Sequence, residues 1–75
     1  MSKLPSLTAK KVIRALKKVG FIEDRQKGSH LVLFQEKTRN RVVVPMHSGR
    51  DIKRSLLYAI IDDAKLSVDD FLHLL

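Results

Sequence analysis

Along this chain the spacing of apolar residues changes from helical to strand-like and back to helical, and few folds accommodate that order in 75 residues. Val12, Ile13, Leu16 and Val19 recur at helical spacing, with Lys10, Lys11, Arg14, Lys17 and Lys18 on the other faces. An amphipathic helix is expected there, capped by the Thr8 hydroxyl and stopped by Gly20. From Phe21 the period is lost, and residues 21–26 read as a first strand ending at the turn Lys27-Gly28-Ser29. Leu31-Val32-Leu33-Phe34 and Arg41-Val42-Val43-Val44 are β-rich runs joined by a polar connector, which predicts an antiparallel hairpin. Pro45 has no N–H for a ladder and ends the third strand, and residues 46–50 read as a loop. Asp51 is then expected to cap a second helix with Ile52, Leu56, Leu57, Ile60 and Ile61 on its apolar face. Ser67 with Asp70 three residues on predicts a short final helix carrying Phe71, Leu72, Leu74 and Leu75.

The fold class that follows is α+β: a two-layer α-β-β-β-α sandwich, a three-stranded antiparallel sheet with helices on one face and an extra short C-terminal helix. Its expected core is Val12, Ile13, Leu16, Val19, Phe21, Leu31, Leu33, Val42, Val44, Leu56, Leu57, Ile60 and Ile61. Arg25, Val32, Phe34 and Val43 are expected on the opposite, open face of the sheet. A chain this short buries only about 60% of the surface its unfolded form exposes, which leaves room for one core. With no cysteine to staple it, packing must hold that core together. The lack of cysteine fits a reducing cytoplasm, and no apolar run approaches the roughly 20 residues that span a bilayer.

Charge narrows the partner. Fifteen Lys and Arg against eight Asp and Glu give a net +7, and a small domain this basic is expected to meet a polyanion. Residues 1–20 hold six basic side chains and no acid, whereas residues 56–75 hold one basic side chain and four acids. The electrostatic footprint is therefore expected within residues 1–55. Lys10, Lys11, Arg14, Lys17 and Lys18 are candidate phosphate contacts, because a helix with no acid forgoes the i,i+4 ion pairs of a merely solvated face. His47, Arg50, Lys53 and Arg54 join them further along. Asp62-Asp63 and Asp69-Asp70 are adjacent pairs that point to different helix faces, so no metal site is expected from them.

Of the three histidines, His30 stands out. It follows Gly28-Ser29 where a turn passes into a strand, with Arg25 and Lys27 close in sequence. Gly28 permits a close backbone approach to a phosphate, Ser29 offers a hydroxyl, and the cations favour an anion beside the imidazole. The alternative is a histidine that only packs or hydrogen-bonds at a strand end. His47 lies in the loop after the third strand, near Arg50, and sequence spacing does not decide whether it meets His30. His73 reads as a surface or packing residue, and Tyr58 as part of a helix surface.

The segments Leu16-Lys17-Lys18-Val19-Gly20-Phe21, Arg25-Gln26-Lys27-Gly28-Ser29-His30 and Val42-Val43-Val44-Pro45 with His47, in this order, resemble the HicA-type mRNA interferase toxins of toxin-antitoxin pairs. The resemblance covers almost the whole chain and implies a single HicA-like domain over residues 1–75, with a fold like the double-stranded RNA-binding domain. It also implies a cytoplasmic endoribonuclease that cuts messenger RNA without the ribosome, with His30 catalytic and Gly28 and Ser29 as its motif neighbours. The implied partners are single-stranded or messenger RNA and a HicB-type antitoxin that masks the site; no cofactor, metal or membrane is implied. The sequence departs from the family pattern at Leu31, after the histidine, and at Asp51-Ile52-Lys53-Arg54, where a Lys-Gly segment is more usual. Two other readings of the same charge are a non-catalytic RNA-binding module, which needs no Gly-Ser-His, and a domain that docks an acidic protein.

Overall fold

The two changes of period become an α-β-β-β-α-α order in a computed structural model that describes residues 3–75. The elements are α1 (Ala9–Lys17), β1 (Phe21–Lys27), β2 (His30–Gln35), β3 (Asn40–Pro45), α2 (Arg54–Asp63) and α3 (Val68–Leu72). The strands form one antiparallel sheet in the order β1-β2-β3. The expected α+β sandwich, including the short C-terminal helix, is the observed architecture.

The helices cover one sheet face because the strands present their large apolar side chains there. Phe21, Leu31, Leu33, Val42 and Val44 are buried against Val12, Ile13 and Leu16 of α1 and Leu57, Ile60 and Ile61 of α2. The other face stays open, with Ile22 and Val43 58% and 47% exposed. Gln35 donates from its side-chain amide to the Val19 carbonyl, which ties the end of the α1 turn to the sheet.

One irregularity decides which way β1 points its charges. The register with β2 shifts between Glu23 and Arg25, leaving Asp24 as the extra residue of a bulge. Unbroken alternation from the buried Phe21 would turn Arg25 and Lys27 toward the helices. After the bulge, Arg25 lies opposite Val32 and Lys27 opposite His30, on the open face. Arg25, Val32, Phe34 and Val43 therefore share the open face, as the sequence predicts.

Three expectations are corrected. Asp51 does not cap α2: it forms an isolated antiparallel bridge with Thr8, and the Ile52 amide donates to the Leu7 carbonyl at 2.7 Å. The backbone there is drawn to the N-terminal segment, Ile52 drops into the core at 8% exposure, and α2 begins only at Arg54. Leu56, on the first turn of α2, is 39% exposed rather than in the core, because the buried stripe is Leu57, Ile60, Ile61 and Ala64, at i, i+3, i+4 and i+7, and Leu56 falls beside it. Val19 is only partly buried, at the edge of the same core. The core also takes in Leu4, Leu7, Ala9, Ala15, Ala64 and Phe71, so the segment before α1 is part of the packing. Among the described residues, no helix is long and apolar enough to cross a membrane.

Candidate active site at the end of the sheet

His30 is the first residue of β2, exposed on the open face, in a cross-strand row between Lys27 of β1 and Pro45 of β3. What puts it there is the two-residue hairpin loop Gly28-Ser29. Gly28 has φ +56, a left-handed conformation at the first loop position, as in the hairpin turns whose twist matches that of the strands. A Cβ built on Gly28 would meet nothing within 4 Å, so conformation rather than space requires glycine. Gly28→Ala is expected to cost about 1–2 kcal/mol of stability, and Gly28→Asn less. Urea midpoints at constant m-value will measure both.

The loop after β3 is held against this turn. The Met46 amide donates to the Ser29 carbonyl, and the Arg50 amide closes a turn on the His47 carbonyl at 3.0 Å, with Gly49 at φ +74. As a result His30, His47, Arg50 and Lys53 line one cavity of about 380 Å³, walled by Pro45 and Leu56. Asp51 is the one acidic residue in its lining. Lys53 occupies the cap position of α2 but makes no side-chain capping bond. The first amides of α2 thus add partial positive charge beside Lys53. A second cavity of about 320 Å³ leads from His30 along β3 past Arg41 and Val43 to Asp63.

The other predicted site residues distribute unevenly. His47 also lines a neighbouring cavity of about 450 Å³ with Lys10 and Gln26. Lys10 and Gln26 continue into a fourth, of about 340 Å³, with Arg14 and Lys17. A basic path therefore runs from His47 on to one side of α1. Lys17 on that path pairs with Glu23 of β1, an acid the helix sequence alone does not show, and an exposed pair of this kind stabilises little. Lys11 and Lys18 lie on another side of α1, by the C-terminus, where Lys18 donates to the Leu74 carbonyl at 2.8 Å. Arg54, the first residue of α2, is exposed and lines none of these cavities. Arg25 shares His30's sheet face and lies 3.8 Å from Asp24.

Sequence reasoning missed Arg41. Its guanidinium sits 4.8 Å from the centroid of the Phe34 ring and bonds Asp24 at 2.7 Å, so it reaches across the open face from β3 to β1. The signal was its position one residue before the buried Val42, which places it on the outer face. His73 lies in the C-terminal turn, its Nδ1 2.8 Å from the Asp69 carbonyl oxygen. Among the described residues, no group of three or more His, Cys, Asp or Glu side chains could hold a metal ion.

A family model described as HicA toxin of bacterial toxin-antitoxin matches residues 9–66. The chain belongs to the HicA toxin family. A search of curated proteins returns no match. The matched stretch runs from the start of α1 through α2 and contains every residue of the His30 cavity, leaving α3 outside it. As a HicA toxin, the protein has a toxin role, and membership implies a cognate antitoxin as partner.

Proposed function

We propose that this HicA toxin is a metal-independent endoribonuclease that cuts messenger RNA in the cytoplasm without the ribosome, and that a HicB-type antitoxin inhibits it by covering the His30 cavity. The observation that carries this reading is the cavity itself: one imidazole on a rigid strand end, facing Arg50, Lys53 and the uncapped start of α2. Such a setting suits a phosphodiester, with cations for its oxygens and an imidazole that can both give and accept a proton. Residues 1–75 act as one domain in this account.

The reaction is a transesterification within the RNA. A base removes the proton of the ribose 2′-OH, the 2′-oxygen attacks the adjacent phosphorus, and the bond from phosphorus to the 5′-oxygen breaks as an acid supplies a proton to it. His30 is one of these proton-transfer groups. Lys27, directly across the ladder from His30, and Arg50 and Lys53 across the cavity stabilise charge on the pentavalent phosphorane. The products are a 2′,3′-cyclic phosphate and a 5′-hydroxyl.

The path through Lys10 and Arg14 positions the RNA beyond the cut. Lys10→Ala and Arg14→Ala, measured by RNA titration in the His30→Ala background, should each lower the salt slope of binding by about 0.7, the value for one lost phosphate contact on a single strand. Lys11→Ala should leave the slope unchanged. Cleavage of a labelled RNA by wild type in the presence of a chelator, with a cyclic-phosphate end, tests the activity itself. Salt-dependent binding of the same RNA with no cut would leave a non-catalytic RNA-binding module.

A further inference from the structure

The transesterification needs two proton transfers at different oxygens, and His30 can supply only one of them. Resting on that reading, we propose that His47 is the second: His30 and His47 act as a base and acid pair on the two sides of the scissile phosphate.

The two histidines come from the start of β2 and from the loop after β3, and both line one cavity. His30 is fixed by the sheet ladder. His47 is fixed by backbone bonds on both sides, from the Met46 amide to the Ser29 carbonyl and from the Arg50 amide to the His47 carbonyl. Displacement in line at phosphorus places the entering and leaving oxygens on opposite sides, so the two groups must approach from separate directions. A strand end and a facing loop supply that. Of the other polar side chains in the lining, Arg50 and Lys53 only donate hydrogen bonds and the Asp51 carboxylate only accepts them, whereas an imidazole offers both a donor and an acceptor nitrogen. His73 is ruled out by position, since it lies in the C-terminal turn and lines none of the cavities that contain His30.

His47 also lines the cavity that contains Lys10. It therefore stands between the reacting phosphate and the basic path along α1, at the junction a continuous RNA strand must cross. The proton balance closes within the pair. One neutral imidazole takes the 2′-OH proton and ends protonated, the other begins protonated and gives its proton to the 5′-oxygen, and a proton returned through water resets both.

The test uses a DNA strand with a single ribose linkage, made with either an ordinary 5′-oxygen or a 5′-sulfur at the scissile bond, because a thiolate leaves without protonation. On the oxygen linkage His47→Ala and His47→Gln should lower kcat by about 10²–10⁴-fold, the range for loss of a general acid or base, with circular dichroism melts like wild type. On the sulfur linkage one of His30→Ala and His47→Ala should recover to near the wild-type rate and the other stay slow, which assigns acid and base. The proposal is overturned if both His47 variants cut the oxygen linkage within about threefold of wild type, if their loss lies in KM alone, or if sulfur fails to separate the two alanine variants. A wild-type protein that cuts neither linkage overturns the ribonuclease reading and this pairing together, whereas active His47 variants beside an inactive His30→Ala remove the pairing alone.

Discussion

His30→Ala is expected to slow RNA cleavage by about 10²–10⁴-fold, the usual worth of a positioned acid or base. The loss should appear in the chemical step and not in folding or in RNA affinity. His30 is exposed, so its removal opens no cavity in the core, and exposed substitutions of this kind stay within about 0.5 kcal/mol. Arg50, Lys53 and Lys10 remain to hold phosphates, so binding should change only a few-fold. His30→Gln keeps a polar side chain but cannot carry a proton between substrate atoms, and it should be as slow as alanine. Single-turnover cleavage beside a binding titration separates the two effects.

The largest expected loss of stability comes from α3. Phe71 of α3 is 0% exposed and is among the largest fully buried side chains, so Phe71→Ala should cost about 3–5 kcal/mol. At about 0.05–0.15 kcal/mol per residue, a chain of this length holds roughly 4–11 kcal/mol in all. The substitution removes a large share of that. α3 has five residues and is fixed at its start by the Ser67 hydroxyl, which accepts from the Asp70 amide at 3.0 Å; Phe71 is its one fully buried side chain, with Val68 and Leu72 packed beside it. α3 lies beyond the stretch that matches the family, yet it closes the core of this chain. Leu72→Ala, at a partly buried position, should cost clearly less. Urea unfolding followed by circular dichroism will rank the two.

Local patterns in the sequence were enough for the elements whose causes are local. The 3.6-residue period of Val12, Ile13 and Leu16, the β-rich runs on either side of the connector, the stop at Pro45 and the Ser67 cap all appear where the residues place them. What the sequence hides depends on contacts between distant segments. Asp51 has the chemistry of a cap, but pairing with Thr8 takes its backbone out of the helix. Leu4 and Leu7 precede the first periodic segment, and only the bond from the Ile52 amide to the Leu7 carbonyl and the packing around it place them in the core. The bulge at Asp24 has no mark in the residue pattern, and without it Lys27 would not share a face with His30. The site shows the same division. Gly28-Ser29-His30 is visible as a tripeptide, whereas the lining of one cavity by both His30 and His47 depends on a backbone bond between Met46 and Ser29. Lys10 and Lys11 are neighbours in sequence, and only the packing of α1 separates the one that reaches the His47 cavity from the one that does not.

The open sheet face also constrains the antitoxin. Inhibition by masking requires contact with His30, and the adjoining surface offers exposed Ile22 and Val43 with Arg41 across Phe34. A complex formed with the cognate antitoxin should protect the His30 cavity from solvent.

The central claim is that RNA is cut through its own 2′-oxygen at this cavity. It is tested most directly by comparing an all-ribose oligonucleotide with one carrying a single 2′-deoxy residue immediately 5′ of the cleaved phosphate. Wild type is expected to cut the first to a 2′,3′-cyclic phosphate and to leave the blocked linkage intact. Cleavage across the 2′-deoxy linkage at an undiminished rate would contradict it.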